Sequence, residues 1–216
     1  MEKIEWRKTD PSYRMSKKPQ LLKLRAKNIF CINGVGDPNG EEFKRRIGCL
    51  YAVSYTIRMA QKSGWLIPDY APYTVYPLEG QWGLQEKFLN EPVMLKEHFS
   101  YQLMIQQPDF VTSQVASEAL TRAASKIPED LVSQLFFTSI EEGLVAQILH
   151  IGSYDDEPET FEKLALFLKE KGYRRTSKEH KEIYMSDPRR TAPEKLKTIL
   201  RVTVEQDKSV EVSDIN

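Results

Sequence analysis

The sequence of 216 residues has no excess of charge of either sign, because Lys plus Arg and Asp plus Glu number 31 each. A chain without a net field is not drawn to phosphate backbones or to anionic lipid, so we predict no nucleic-acid partner. The sequence also lacks an apolar run long enough to cross a bilayer, and its charged start, Met1-Glu2-Lys3, is unlike a secretory signal. These absences predict a cytoplasmic protein without a membrane partner.

Cysteine is scarce, and several catalytic motifs are absent. The two cysteines, Cys31 and Cys49, fall in a predicted strand and a predicted helix, which is typical of buried thiols in a reducing compartment rather than of a disulfide. Neither a serine elbow nor a cysteine-histidine motif is present, so the sequence does not favour covalent catalysis. The glycines at 34, 36 and 40 do not have the spacing of a dinucleotide fingerprint, and we predict no cofactor.

Metal-ligand spacing is also missing. The three histidines lie far apart, at positions 98, 150 and 180. Four acids resemble a metal cluster in composition, but acids that favour the start of a helix are the better explanation: Asp155, Asp156, Glu157 and Glu159. We therefore predict no metal site.

The most informative stretch is the segment from His180 to Tyr184. With a period of two, His180, Glu182 and Tyr184 lie on one face of a strand, and Ile183 and Met185 point to the other face. Two interpretations of Glu182 remain open. It lies on an open sheet face beside Lys181 or Lys197, or it stands at the bottom of an aromatic pocket that receives a cationic or polarised ligand.

The order of elements repeats within the chain. A strand at 27–35, a capped helix ending near Gly64 and strands near 73–80 and 101–107 correspond to a strand ending at Gly152, a helix ending at Gly172 and strands at 180–185 and 196–204. A helix at 111–126, a strand at 131–140 and a strand from Leu144 complete the prediction. We predict one domain over 1–216, with an N-terminal arm over about 1–25, a first repeat over about 26–110 and a second over about 130–205.

Five segments carry a resemblance to a known family. They are residues 34–40 (GVGDPNG), 73–80 (YTVYPLEG), 107–111 (QPDFV), 147–152 (QILHIG) and 180–188 (HKEIYMSDP). In this order they resemble the GyrI-like small-molecule-binding proteins, more narrowly the stand-alone bacterial branch. The resemblance implies an α+β fold: two pseudo-symmetric strand-helix-strand-strand units, antiparallel sheets with helices on their outer faces, around a central ligand cleft with a glutamate at the position of Glu182.

The resemblance also implies two functions. Relatives fused to helix-turn-helix domains sense lipophilic cations and drugs, whereas some stand-alone members hydrolyse cyclopropane-bearing DNA-alkylating compounds inside an aromatic cage. We predict a cleft for lipophilic, aromatic or cationic xenobiotics, with hydrolytic ring opening or, alternatively, drug sequestration or co-regulation without turnover. A small molecule is the predicted partner, and no protein partner is predicted.

The residues assigned to this function are two catalytic candidates and a set of ligand contacts. Glu182 would orient or deprotonate the attacking water, and Tyr184 or His150 would protonate or hydrogen-bond the developing phenolate. Aromatic faces attract a cation by about 0.5 to 2 kcal/mol. The predicted ligand contacts are Trp82, Tyr76, Trp65, Phe136, His150 and Thr74. A structural histidine remains the alternative for His150, and packing over a helix end remains the alternative for Trp65.

Overall fold

The computed structural model describes residues 2–93 and 95–208, which contain nine strands and five α-helices. The strands are β1 (Gln20–Leu24), β2 (Lys27–Val35), β3 (Leu78–Leu84), β4 (Phe99–Gln106), β5 (Leu135–Ile140), β6 (Gly143–Ile151), β7 (Tyr173–Arg175), β8 (His180–Tyr184) and β9 (Lys197–Gln206). The helices are α1 (Trp6–Thr9), α2 (Glu41–Arg58), α3 (Ser113–Ala123), α4 (Glu129–Val132) and α5 (Glu157–Glu170). None of the helices in these ranges combines the length and apolar character needed to cross a membrane.

The chain divides into two compact units. The first, called unit 1, contains residues 1–10 and 26–141, and the second, unit 2, contains residues 11–25 and 142–216. The segment predicted as an N-terminal arm is thus shared between the units, and part of it forms β1, which pairs with β6 in unit 2. Burial explains why this segment is ordered, since Trp6 and Tyr13 are each only 2% exposed.

Unit 1 is an antiparallel sheet with strand order β5-β2-β4-β3. Helix α2 contacts β2 and β4. Its buried stripe includes Leu50, Val53 and Ile57, which recur at helical spacing as the sequence predicts. The chain then passes through a 3-10 turn to Gly64, whose φ of 74° lies in the left-handed region that glycine adopts without a Cβ penalty. Helix α2 itself ends at Arg58, six residues before the end at Gly64 that the sequence predicts, and Gly64 ends the 3-10 turn instead.

Unit 2 has the corresponding antiparallel order β1-β6-β9-β8, with β7 also paired to β9. Helix α5 contacts β6 and β7. A core of buried aliphatic residues lies under the helix: Ala146, Ile148, Leu164, Leu168, Leu200, Val202 and Val204. The predicted α+β architecture with repeated strand-helix-strand-strand units is confirmed.

Two element boundaries differ from the sequence prediction. The strand expected over 73–80 begins only at Leu78, because Pro77 cannot donate a ladder hydrogen bond. The strand expected from Leu131 begins at Leu135, since Pro128, Glu129 and Asp130 start the short helix α4 instead. The predicted cap of α3 is present, with the side chain of Thr112 accepting a hydrogen bond from the backbone N–H of Val115.

Candidate functional site

One face of β8 carries three polar side chains that contact one another. The hydroxyl of Tyr184 donates a hydrogen bond to Oε2 of Glu182 at 2.8 Å, and Nε2 of His180 lies 3.0 Å from Oε1 of the same carboxylate. The side chain of Glu182 is 12% exposed. The two-residue period of a strand places all three groups on one side, so the local order of the sequence is enough to bring them together.

The opposite face of β8 holds a buried ion cluster. Nζ of Lys181 lies 3.0 Å from Oε1 of Glu142, and Nη1 of Arg201 donates to the same oxygen at 2.8 Å. Lys181 and Arg201 are 4% and 2% exposed. Lys181, one of the two lysines that the open-face interpretation places beside Glu182, pairs with Glu142 on the back of the strand. Because these charges are buried and paired, they fix the position of β8.

A third acid reaches Glu182 from the start of α5. Glu157 is the first residue of the helix and is 7% exposed. One ligand atom from each of Glu157, His180 and Glu182 lies within 4.8 Å of the other two. Oε1 of Glu157 is buried and has no hydrogen-bond partner among the described residues. We call these three residues the acid cluster.

The surroundings of the acid cluster change the acidity of two side chains. Burial, followed by the charges of Glu182 and Asp155, raises the pKa of Glu157 to about 9. Burial, with Glu182 and Glu157 adding to it, raises the pKa of Tyr154 to about 12. Glu157 is thus a neutral carboxylic acid at pH 7, and it retains a proton that it can donate.

Aromatic rings flank the acid cluster on two sides within unit 2. The ring of Tyr154 meets that of Tyr184 edge-on, with centroids 6.1 Å apart, and Phe161 on α5 meets the imidazole of His180 edge-on at 4.9 Å. Edge-to-face contacts of this kind hold rings in defined orientations. The side chains that contact Glu182 are consequently held by packing as well as by hydrogen bonds.

His150 has the surroundings of a structural histidine. It is 3% exposed, with Nδ1 2.8 Å from the hydroxyl of Thr160 and Nε2 2.9 Å from the carbonyl of Ser153. Because a carbonyl only accepts, Nε2 donates to Ser153, and in the neutral imidazole Nδ1 then accepts from the Thr160 hydroxyl. Both ring nitrogens are used in joining β6 to the start of α5, which matches the structural alternative.

The predicted aromatic contacts Tyr76 and Trp82 belong to unit 1 and are buried there. Tyr76, 5% exposed, stacks on Trp6 with centroids 5.2 Å apart. Trp82, 6% exposed, packs against three rings at centroid distances of 5.4 to 5.8 Å: Phe43, Phe99 and Tyr101. Both residues therefore contribute to the aromatic packing of unit 1, and their roles as ligand contacts stay predictions.

The remaining predicted contacts are spread over unit 1. Trp65 is half-buried, and the guanidinium carbon of Arg122 lies 4.8 Å from its ring centroid. Phe136 on β5 is 36% exposed. Thr74 is exposed, and its carbonyl accepts a hydrogen bond from Nε1 of Trp6 at 2.7 Å. Their roles as ligand contacts stay predictions.

Glu157 and Trp6 are the residues that the sequence analysis missed. Glu157 had been grouped with ordinary helix-start acids. Its distinguishing signal is its position, since it lies seven residues before Leu164 and eleven before Leu168, on the buried face of α5. An acid on the apolar stripe of a helix is a stronger indication of a site than an acid elsewhere in the first turn.

Comparisons with known proteins identify the family and the fold of the chain. The sequence profile of a family described as a GyrI-like small molecule binding domain matches residues 17–205. A hydrolase from Listeria innocua superposes with a TM-score of 0.82 at 31% identity, covering 95% of this chain and 100% of that chain. A second hydrolase from Listeria innocua gives a TM-score of 0.84 at 32% identity, with 94% and 100% covered.

An uncharacterized conserved protein from the same organism gives a TM-score of 0.84 at 32% identity, with 95% and 100% covered. No curated protein matches the chain.

Proposed function

The chain belongs to the GyrI-like small-molecule-binding family. From this premise we propose that it binds lipophilic, aromatic or cationic xenobiotics against the acid cluster. We also propose that it opens cyclopropane-bearing alkylating compounds by hydrolysis. The observation that carries the proposal is the environment of Glu182. Its side chain is 12% exposed, Tyr184 donates to it, and a second acid lies beside it. A carboxylate held in this way attracts positive charge more strongly than one in bulk water.

The proposed hydrolysis adds one water across a carbon-carbon bond. Glu182 accepts a proton from water while the water oxygen bonds to a cyclopropane carbon. The bond between that carbon and the ring system breaks, and its electron pair moves into the conjugated carbonyl, which becomes a phenolate. A proton then returns to the phenolate oxygen, so the product is one water heavier and no redox partner is required.

Two further features support this chemistry. Glu157 retains its proton at pH 7, so the two acids divide naturally into a proton acceptor and a proton donor. Relatives at 31% and 32% identity are described as hydrolases, although their substrates are not part of that description. The role of donor falls more readily to Glu157 or Tyr184 than to His150, whose ring nitrogens are both engaged.

The test is incubation with an activated cyclopropane alkylator followed by mass spectrometry. We expect a ring-opened product one water heavier from the wild-type protein and from Glu159→Gln, a matched change of an exposed acid on α5. Glu182→Gln should reduce the rate by about 100-fold or more, the usual contribution of a positioned base. Undiminished turnover in Glu182→Gln would remove Glu182 as the base.

Saturable binding of the alkylator without any product is the result that would replace the proposal by the second candidate, a non-catalytic drug-binding protein. The family description supports this candidate directly, because it names small-molecule binding and no reaction. Binding measured by tryptophan fluorescence, in parallel with mass spectrometry, distinguishes the two outcomes in one experiment.

A further inference from the structure

The acid cluster combines ligand types that bind transition metals. It has two carboxylates and one imidazole, contributed by the start of α5 and by alternate residues of β8. We propose that Glu157, His180 and Glu182 form a binding site for one divalent ion of the Zn²⁺ class. This site goes beyond the proposed function, because the proposed hydrolysis requires no metal ion, although the ion would bind to Glu157 and Glu182, which that hydrolysis also uses.

The spacing of the ligand atoms suits a single ion. Zinc lies about 2.0 to 2.2 Å from nitrogen and oxygen ligands, so two ligand atoms of a tetrahedral ion are separated by about 3.3 to 3.6 Å. The three ligand atoms of the cluster lie within 4.8 Å of one another. Nε2 of His180 and Oε1 of Glu182 are 3.0 Å apart, close to this separation, and a side-chain rotation that moves the ligand atom of Glu157 by up to about 1.5 Å completes the coordination triangle.

The second independent observation is the orphaned oxygen of Glu157. The residue is 7% exposed, and its buried Oε1 finds no hydrogen-bond donor among the described residues. Buried polar atoms are nearly always paired, and an unpaired one calls for an unseen water or ion. A metal ion bound by Glu157 would displace the proton of this acid, and its two positive charges would then balance two carboxylates.

The outer contacts of the cluster resemble those that orient metal ligands. Tyr184 donates to Oε2 of Glu182, which leaves Oε1 of that carboxylate directed toward His180. The edge of Phe161 packs on the imidazole of His180 and fixes its plane. Contacts of this kind hold ligands in the geometry that the ion requires, and removing one typically lowers the metal affinity about 10- to 100-fold.

The ligand set also predicts selectivity. Imidazole with carboxylate suits zinc, cobalt and manganese, whereas magnesium and calcium prefer sites made entirely of oxygen. Three protein ligands leave at least one coordination position for water, as in open zinc sites. We therefore expect Zn²⁺ and Co²⁺ to bind and Mg²⁺ to compete poorly.

The experiment is a calorimetric titration of the chelator-treated full-length protein with ZnCl₂. We expect one ion per chain, and affinity reduced at least about 10-fold in Glu157→Gln, Glu182→Gln and His180→Asn. Glu159→Gln, the same chemical change on the exposed side of α5, should bind as the wild type does. The visible absorption of bound Co²⁺ should appear in the wild type and be lost in His180→Asn.

Absence of saturable Zn²⁺ binding overturns the proposal, as does Glu157→Gln binding Zn²⁺ with wild-type affinity. Glu157→Gln is the decisive variant, because glutamine has nearly the shape of the neutral acid and should fold normally. Circular dichroism of each variant identifies any that does not fold, and the Co²⁺ spectrum of the wild type remains a test that needs no variant. Failure of Zn²⁺ binding leaves the organic ligand and its hydrolysis unaffected, so the two proposals fail separately.

Discussion

Unit 1 and unit 2 have the same strand pairing, but different chemistry on corresponding strands. Strand β3 in unit 1 and strand β8 in unit 2 each pair with the last strand of their repeat. On β3, Trp82 packs among aromatic rings, whereas on β8, Glu182 is hydrogen-bonded to Tyr184 beside another acid. The same arrangement of strands thus carries either a packed cluster of aromatic side chains or a cluster of titratable side chains. Function therefore has to be argued from the side chains and not from the fold.

The largest expected effect is on the stability of unit 1. Trp82→Ala should lower the free energy of unfolding by about 3 to 5 kcal/mol, because it removes a buried ring that contacts Phe43, Phe99 and Tyr101. Denaturant unfolding followed by circular dichroism measures this. A decrease in the free energy of unfolding below about 1 kcal/mol would contradict the contrast between the two units, since it would show that Trp82 does not stabilise the packing of unit 1.

The next effect separates stability from activity in unit 2. Glu182→Gln should leave the free energy of unfolding within about 1 kcal/mol of wild type, since glutamine still accepts the hydrogen bond from Tyr184. Turnover of the alkylator should nevertheless fall as proposed above. Parallel denaturant curves and rate measurements check this, and a destabilisation as large as that of Trp82→Ala would mean that the acid cluster is mainly structural.

A smaller effect compares two glycines near the ends of the corresponding strands β2 and β6, Gly34 and Gly152. A Cβ on Gly34 would overlap the ring of Tyr101, whereas a Cβ on Gly152 meets nothing closer than 3.5 Å. Gly152 instead has a φ of 142°, which side chains rarely adopt. Both Gly34→Ala and Gly152→Ala should cost about 1 to 3 kcal/mol of unfolding free energy, for different reasons.

A double-mutant cycle distinguishes these two causes. Tyr101→Leu removes the overlapping ring, so it should reduce the cost of Gly34→Ala and leave the cost of Gly152→Ala unchanged. Equal coupling of Tyr101→Leu to both glycine variants would contradict the assignment of a steric cause to Gly34 and a backbone cause to Gly152.

The remaining effect is a pH dependence that belongs to unit 2. Burial raises the pKa of Glu157 from 4.5 to about 9 in the folded protein, so between these values the folded state holds a proton that the unfolded chain has lost. Stability contributed at this position is therefore complete below pH 4.5 and is lost as pH rises toward 9. Glu157→Gln should flatten this decline in Tm, by several degrees at pH 8.

Thermal unfolding of the chelator-treated protein from pH 5 to 9 provides the measurement. Glu159→Gln serves as its control, because that acid is exposed on the same helix. Equal pH profiles for the wild type and Glu157→Gln would indicate that the carboxyl of Glu157 is ionised in the folded protein at neutral pH.

Local patterns predicted a large part of this molecule. The period of two put His180, Glu182 and Tyr184 on one face of β8, and the cap at Thr112 and the glycine end at Gly64 are present where the sequence indicates them. Each of these depends on residues within a few positions of one another, where backbone geometry alone determines the outcome. The family resemblance extended the same prediction to the fold.

The amino-acid sequence by itself determined the alternation of β8, the buried stripe of α2, and the order of elements in each repeat. Only the tertiary structure decided that Glu157 lies beside Glu182, that Lys181 pairs with Glu142, and that Trp6 stacks on Tyr76. These pairs are separated by 25, 39 and 70 residues of chain. Contacts of this kind depend on sheet pairing and helix packing across the unit, so they cannot be predicted from the local periodicity of the sequence.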